Sequence, residues 1–521
     1  TEALRQLGAA GVVQRRHEPG GESWCFRHAL LREAAYDSIL RDRRRALHGR
    51  AADALAATGE HALRAHHLCE AGRIIDSLPH FLTAAQRSLA RSALVEAVHL
   101  LRRGLREIEA LPENRATHEG RLELMALLGP ALIGLHGAGS REAQSVYDQA
   151  VALARGLPAR ADHFPIFWGW WRLSHVRNFV ERRARAVWLL GEARRRGDPG
   201  LLMQAHHCSW GSLFLRGDFD GCERHTEQGL AIYDQGDYRD HASLYGNHDA
   251  KICGHVHRML VRWQQGQARA AAREEARAHE WAERLQHVGS LLHALEFATT
   301  HRAYCRDSDE VWSANERMSA VAEDYGFAEY RARCRIFRGW AMGTRGEARA
   351  GAALAAEGLV MERQMNTADD LALFHCLVAE TWDRAGEPER ALDELRAARD
   401  EFERIGLCYW LPEVWRTIGD LTLRIDAQAL IEAGNAYAEA GRIAREQGAH
   451  RLALRAAVGL ARVALSAGTE LEPAAAQLAA AHAAVAELEA DAVDAWEADA
   501  LAIQLAGRRP GLLPAVVERT R

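Results

Sequence analysis

Apolar positions recur along most of this chain with a helical period, and small residues interrupt them at intervals near forty. The clearest instance runs from Phe374 to Phe402. Ala379 and Trp382 sit three apart, Gly386 and Pro388 follow, and Ala391, Leu395 and Ala398 are spaced four and three. The spacing predicts two antiparallel helices that approach closely at the alanines, with Trp382 and Leu395 filling the space beside the contact and the Gly/Pro pair making the turn. One such hairpin cannot bury its own apolar face, so it needs neighbours on both sides.

The rest of the sequence supplies them. Small or compact anchors at Ala97, Ala143, Ala184, Cys222, Ala271, Val311, Gly351 and Ala391 follow one another at steps of 46, 41, 38, 49, 40, 40 and 40 residues. This is the pattern of a tetratricopeptide-like unit, with longer helices or loops than the standard repeat of about 34 residues. The expected fold is all-α: a TPR-like right-handed α-solenoid of helical hairpins over residues 61–470, closed by a C-terminal helical cap over 471–521. The cap is alanine-rich to Leu505, ends at Pro510 and Pro514, and should expose one polar face. Residues 1–60 read differently. Val12 to Arg16 and Ser23 to Phe26 read as two short strands around a breaker-rich turn, and a helix follows from about His28 with a basic stretch, Arg41 to Arg45, on a solvated face. Strand is expected only within residues 12–26.

Composition narrows the function classes. Hydrophobic residues make up 48% and charged residues 26%, as in a core-forming soluble chain, and the formal charge of -5 gives no bulk attraction for nucleic acid. Nine cysteines without a CxxC pair suit reduced thiols in a cytoplasmic protein. There is no run of 18 apolar residues and no charged-then-apolar leader, so neither a membrane span nor a signal peptide is expected. Lys251 is the sole lysine and is followed by Ile252, which excludes a GxxxxGK[ST] phosphate loop. No GxSxG, HExxH or glycine-rich dinucleotide loop is present either, so no catalytic residues and no cofactor are expected in this segment.

Two stretches carry candidate chemistry. In Tyr245 to His257, Cys253 and His257 are four apart on one helix face, a workable spacing for two transition-metal ligands, with His248 or Asp249 reaching in from the loop. The competing reading has Asn247 or Asp249 capping the helix and the imidazoles on its surface or hydrogen-bonded inside. In Phe164 to His175, Trp168, Trp171 and His175 fall on one face, fit either for core packing or for a groove that holds a peptide or small effector. The groove candidates are therefore Trp168, Trp171, Tyr245, His248 and Asp249. The adjacent pairs His66-His67 and His206-His207 point different ways on a helix and should not share a ligand.

The run FRHALLREAAYDSILRDRRRALHGRAADAL, Phe26 to Leu55, resembles the segment that closes the winged-helix part of large bacterial STAND-type ATPases, especially those fused to class III adenylate/guanylate cyclase domains. AHHLCEAG (Ala65 to Gly72), RSALVEAVHLLRRGL (Arg91 to Leu105) and LYGNHDAKIC (Leu244 to Cys253) resemble parts of their helical-repeat tail. The resemblance implies that residues 1–60 are the remnant of a winged-helix domain and that ATPase and cyclase domains lie upstream of Thr1. It also implies a function: a non-catalytic sensor, scaffold or autoinhibitory arm of a signalling ATPase, with a protein, peptide or small effector in the concave face. Two other readings remain open. One is the repeat arm of an ATP-dependent transcription activator, for which Asp491 to Arg521 shows no basic recognition helix. The other is a free-standing binding solenoid.

Overall fold

A computed structural model describes residues 2–18, 21–158, 160–174, 178–365, 368–485 and 493–507. His175, Pro510 and Pro514 lie outside the described residues. The described chain is all-α with one antiparallel β-hairpin, Val13–Glu18 paired with Gly21–Phe26 from Val13 opposite Phe26. That hairpin falls where the turn residues predict it, between the helices Glu2–Ala9 and Ala29–Asp37. The next helix, Arg41–Ala54, opens on the basic stretch, and Arg41, Arg43 and Arg45 are exposed. No described helix is long and apolar enough to cross a membrane.

The chain forms two compact units, residues 1–85 with 99–124, and residues 86–98 with 125–521. In the first, Phe81, Leu101 and Leu124 are fully buried, and Leu124 sits 3.0 Å from where a Cβ on Gly104 would lie. The second holds the hairpin series.

Its logic is plainest in the helices Leu371–Arg384 and Pro388–Ile405. Gly386, at φ +85°, takes the left-handed conformation that ends the first helix, and the amides of Gly386 and Glu387 return to the Asp383 and Trp382 carbonyls at 3.0 and 2.9 Å. Pro388 then starts the second helix, where its missing N–H costs nothing. Ala379, Trp382, Ala391, Leu395 and Ala398 are all buried. A close backbone approach occurs between Ala328–Thr344 and Ala348–Gln364. A Cβ on Gly339 would lie 2.4 Å from the Gly351 carbonyl oxygen and 2.6 Å from the Ala355 nitrogen.

Most of the anchor series has a precise place, the fourth residue of a hairpin's second helix, while Ala143 is the third of Arg141–Arg155. Cys222 in Phe219–Tyr233, Ala271 in Ala268–Leu285, Val311 in Ser308–Tyr325, Gly351 and Ala391 all hold it and are buried. The expected anchor Ala184 does not. It is exposed, and the fourth residue of Phe179–Arg196 is Arg182, 3% exposed and 40 residues before Cys222. An arginine stands at a small-residue position because its guanidinium passes the contact and pairs further inside.

Late hairpins of this unit close over early ones. The amides of Cys408 and Tyr409 donate to the Leu215 carbonyl at 2.8 and 3.1 Å, the Trp410 ring stacks on Tyr304 at 3.9 Å, and Arg455 donates to the Tyr304 carbonyl at 2.5 Å. The inner surface at these residues is thus covered by the unit's own chain. At the C-terminal side the helices Leu471–Ala484 and Val493–Gly507 pack on Leu454, Ala461 and Leu465, and the last helix leaves Trp496 and Ile503 exposed.

Candidate functional site

A cavity of about 100 Å³ lies inside the second unit, where seven helices converge. Its first wall is aromatic and imidazole. Trp168 and Trp171 come from the helix Phe164–Leu173 and meet edge to face at 5.2 Å; the Trp171 Nε1–H donates to the Ser212 hydroxyl at 2.9 Å. His207 projects from Pro199–Leu215 and stacks on Trp210 at 4.7 Å. His248 precedes the helix Ala250–Gln264 in a turn whose Gly246 and Asn247 both have positive φ, +74° and +60°. That turn swings the imidazole inward to within 3.2 Å of His207, Nε2 to Nε2, and stacks it on His293 at 4.3 Å. Burial holds all of these rings below their ordinary range: His248 is pushed down to about 3, His257 to about 4, and His207 and His293 well below 6.5. They are neutral imidazoles at physiological pH.

The facing wall is ionic. Asp369 accepts from Arg182 Nη1 at 2.6 Å, joining positions 187 apart in sequence, and forms an ion pair with Arg172 Nη1 at 2.8 Å. Arg333, on Ala328–Thr344, pairs with Glu296, Glu329, Glu362 at 3.3 Å and Asp370 at 3.7 Å. Three guanidiniums thus face five carboxylates. A buried excess of negative charge is costly, and burial raises the Glu296 carboxyl to about 8 and the Asp370 carboxyl to about 6, against the pull of Arg333. The Glu296 Oε2 is buried without a hydrogen-bond partner. The cavity can therefore neutralise a ligand's charge of either sign, with the two arginines on Asp369 at one side and the acidic cluster round Arg333 at the other.

The residues read from the sequence divide. Trp168, Trp171 and His248 line the cavity. Tyr245 is buried against Trp168 at 5.8 Å, and Asp249 caps the helix it precedes. Its Oδ1 accepts from the amides of Lys251 and Ile252 at 2.9 and 3.2 Å and from Trp281 Nε1 at 3.2 Å, while its Oδ2 accepts from the Tyr233 hydroxyl at 2.6 Å. Both its oxygens are engaged. Cys253 and His257 share a face, Sγ to Nδ1 3.5 Å, but the His257 Nδ1–H also reaches the Cys253 carbonyl at 2.8 Å. Of the pair His206-His207, His206 turns to His225 at 2.9 Å and His207 turns inward, as neighbouring helix positions require. Sequence reasoning missed His293, Arg172, Arg182, Glu296, Arg333, Asp369 and Asp370, and named His207 only as half of an adjacent pair. Only Arg182 left a trace, as a charged residue in the register of the small anchors.

No protein-family model matches the chain. An uncharacterized protein of Rhizobium meliloti (strain 1021) is 29% identical over 462 residues, which cover 87% of this chain and 45% of that protein. The chain thus spans about half the length of that relative. Among solved structures, a Rap protein complexed with Competence and Sporulation Factor aligns with a TM-score of 0.51 at 12% identity, covering 72% of this chain and 99% of that one. The Cut9–Hcn1 assembly of the APC/C aligns at 0.47 and 12% identity, over 92% and 91% of the two chains. A STAND protein with a tetratricopeptide-repeat sensor from Pyrococcus horikoshii aligns at 0.32 and 11%, over 82% and 72%. The similarity is one of fold. This chain is a TPR-like helical-repeat solenoid.

Proposed function

We propose that this chain is a non-catalytic sensor arm whose second unit receives a small polar effector, or the end of a peptide, in the cavity between the Arg172/Arg182/Asp369 cluster and the Arg333 cluster. The observation that carries the reading is the Glu296 Oε2, buried and without a partner beside that cavity. A buried carboxyl left short of a hydrogen bond is expensive; raised to about 8 and with its Oε1 held by Arg333, Glu296 carries its proton on Oε2 at neutral pH, and an acceptor group on a ligand would satisfy it. The cavity size favours a compact ligand, and Trp168, Trp171 and His248 would bound its apolar side. Because Asp369 ties the hairpin of Arg182 to a segment 187 residues away, a ligand that competes for those guanidiniums would change the relative setting of early and late hairpins. A ligand shifts such an equilibrium by its difference in affinity for the two settings, commonly about 1 to 3 kcal/mol.

The same reading makes the chain an arm of a signal-transduction ATPase, with adenylate/guanylate cyclase domains in cis and residues 1–60 as the end of a winged-helix domain. The resemblance of Phe26 to Leu55 supports it, and more than half of the Rhizobium protein lies outside the matched part. The test uses the full-length parent. Asp369→Asn, which loosens the arginine cluster, and deletion of residues 61–521 are each compared with wild type for ATPase and cyclase rate, with and without a small-molecule extract of the source cells. The expected result is a changed basal rate in both variants and loss of the response to extract. Wild-type rate and response in both would overturn the sensor reading.

A further inference from the structure

We propose that His207, His248 and Cys253 form a zinc-binding site at the imidazole wall of the cavity, with a fourth position open to water or to a ligand. The two imidazole nitrogens and the cysteine sulfur all lie within 4.8 Å of one another. The hydrogen bonds around the rings decide what this cluster needs. The His207 Nδ1 faces the Gln204 side-chain oxygen at 3.1 Å, and Gln204 is itself held by its amide nitrogen on His241 Nδ1 at 3.3 Å. The His248 Nδ1 faces the Gly246 carbonyl oxygen at 3.1 Å. Both partners only accept, so both Nδ1 atoms carry the hydrogen. Each neutral ring is then left with a bare Nε2 lone pair, and the two point at each other across 3.2 Å.

Two acceptors face to face with no proton between them are a defect in a hydrogen-bonded interior, and a metal ion removes it. Two nitrogens each about 2.0 to 2.1 Å from a tetrahedral zinc lie about 3.3 Å apart, close to the separation found. Donation of each Nδ1–H to an oxygen acceptor is also the arrangement that orients metal-bound histidines. The sulfur is prepared in the same way: the Trp210 Nε1–H points at the Cys253 Sγ from 3.5 Å, and the His257 Nδ1 lies 3.5 Å from it. Two imidazoles and one soft thiolate in a tetrahedral set select zinc over magnesium or calcium. On binding, the Cys253 S–H bond breaks, the sulfur pair enters the zinc bond, and the proton leaves to solvent. Beside the expected Cys253 and His248 this set takes His207 in place of His257, and it shares only His248 with the effector reading, whose charged contacts lie on the opposite wall.

The experiment is metal titration of the intact, folded chain with Co²⁺ as the spectroscopic stand-in and Zn²⁺ as competitor. The expected result is one equivalent of Co²⁺ showing a thiolate-to-cobalt charge-transfer band and tetrahedral d–d absorption, bleached by one equivalent of Zn²⁺. Cys253→Ser abolishes the charge-transfer band, while Cys376→Ser keeps it. His248→Gln weakens binding more than tenfold, and Gln204→Ala, which removes the acceptor from the His207 Nδ1 without touching a ligand atom, weakens it by about 10- to 100-fold. Metal held at the separate cluster of His48, His66 and His67 gives no thiolate band and so does not count for the proposal. Should Cys253→Ser not fold, the zinc K-edge absorption of the wild-type chain decides: two imidazole nitrogens and one sulfur are expected in the zinc shell. Absence of a thiolate band in the folded wild type, a band that survives Cys253→Ser, or a zinc shell without sulfur overturns the site.

Discussion

The helix Ala328–Thr344 has two buried faces built on opposite principles. On one, Gly339 lets the backbone of Ala348–Gln364 approach so closely that no Cβ fits, and Ala355 completes a contact without a side-chain polar atom. On the other, Arg333 buries its guanidinium among Glu296, Glu329, Glu362 and Asp370. The first face holds one hairpin together. The second draws Glu296 from another hairpin and Asp370 from the segment before Leu371, besides Glu329 and Glu362 of its own hairpin, and so sets hairpins relative to one another. Apolar close packing is local and tolerant of exchange among small residues, whereas a buried charge cluster is all-or-none: remove the single cation and four carboxylates remain. In this solenoid, repeat formation and repeat arrangement rest on different physics.

Arg333→Met tests that division hardest. Breaking a buried ion cluster by removing one partner costs about 3 to 5 kcal/mol, and the expected outcome is a large fall in melting temperature. Adding Glu296→Gln to Arg333→Met removes part of the uncompensated acid and should recover some of the loss. A double variant no more stable than the single would show that the two do not interact as an ionic unit. Gly339→Ala comes next. The added methyl meets backbone atoms at 2.4 and 2.6 Å, and overpacking of this kind costs about 1 to 3 kcal/mol. Because the strain stays within one hairpin, the two losses from Gly339→Ala and Arg333→Met should be additive within about 0.5 kcal/mol if the faces are independent. Strong coupling in denaturant melts would erase the distinction. Gly386→Ala should cost about 1 to 2 kcal/mol from the left-handed backbone alone, since nothing lies within 4 Å of an added Cβ.

The same division explains what the sequence made legible. Helix period, turn glycines and small anchors are local signals, so the hairpins around Gly351 and Ala391, the β-hairpin at residues 13–26 and the cap at Asp249 could be read from spacing. The cavity could not. Arg182 and Asp369 meet across 187 residues, and His207 reaches His248 across 41, distances over which no periodicity speaks. Trp168 and Trp171 were visible as a stripe, but a stripe of aromatics reads the same whether it fills a core or lines a cavity, and here it does both. Ala184 was misread for a related reason: an anchor rule that asks for small residues passes over an arginine whose charge is met elsewhere in the fold.

The smallest effect at neutral pH, and the sharpest on the comparison, belongs to His375. It is buried on the helix Leu371–Arg384, accepts from Arg363 Nη2 at 2.9 Å and packs against Phe402. Burial first, and the Arg363 charge second, push it from 6.5 down to about 3. Between those values the unfolded chain binds a proton that the folded chain refuses, so its contribution to stability is complete above about 6.5 and is lost as pH falls toward 3. The slope from this one group approaches about 1.4 kcal/mol per pH unit within that window. His375→Gln keeps an acceptor for Arg363 and cannot titrate. Urea melts of the two proteins between about pH 7 and about pH 5 should show a shallower loss of stability in the variant, while Gly339→Ala, on the apolar face, keeps the wild-type slope. If His375→Gln leaves the slope unchanged, the proton sensitivity of the fold lies elsewhere. If Gly339→Ala changes it, the apolar contact is tied to the polar interior after all.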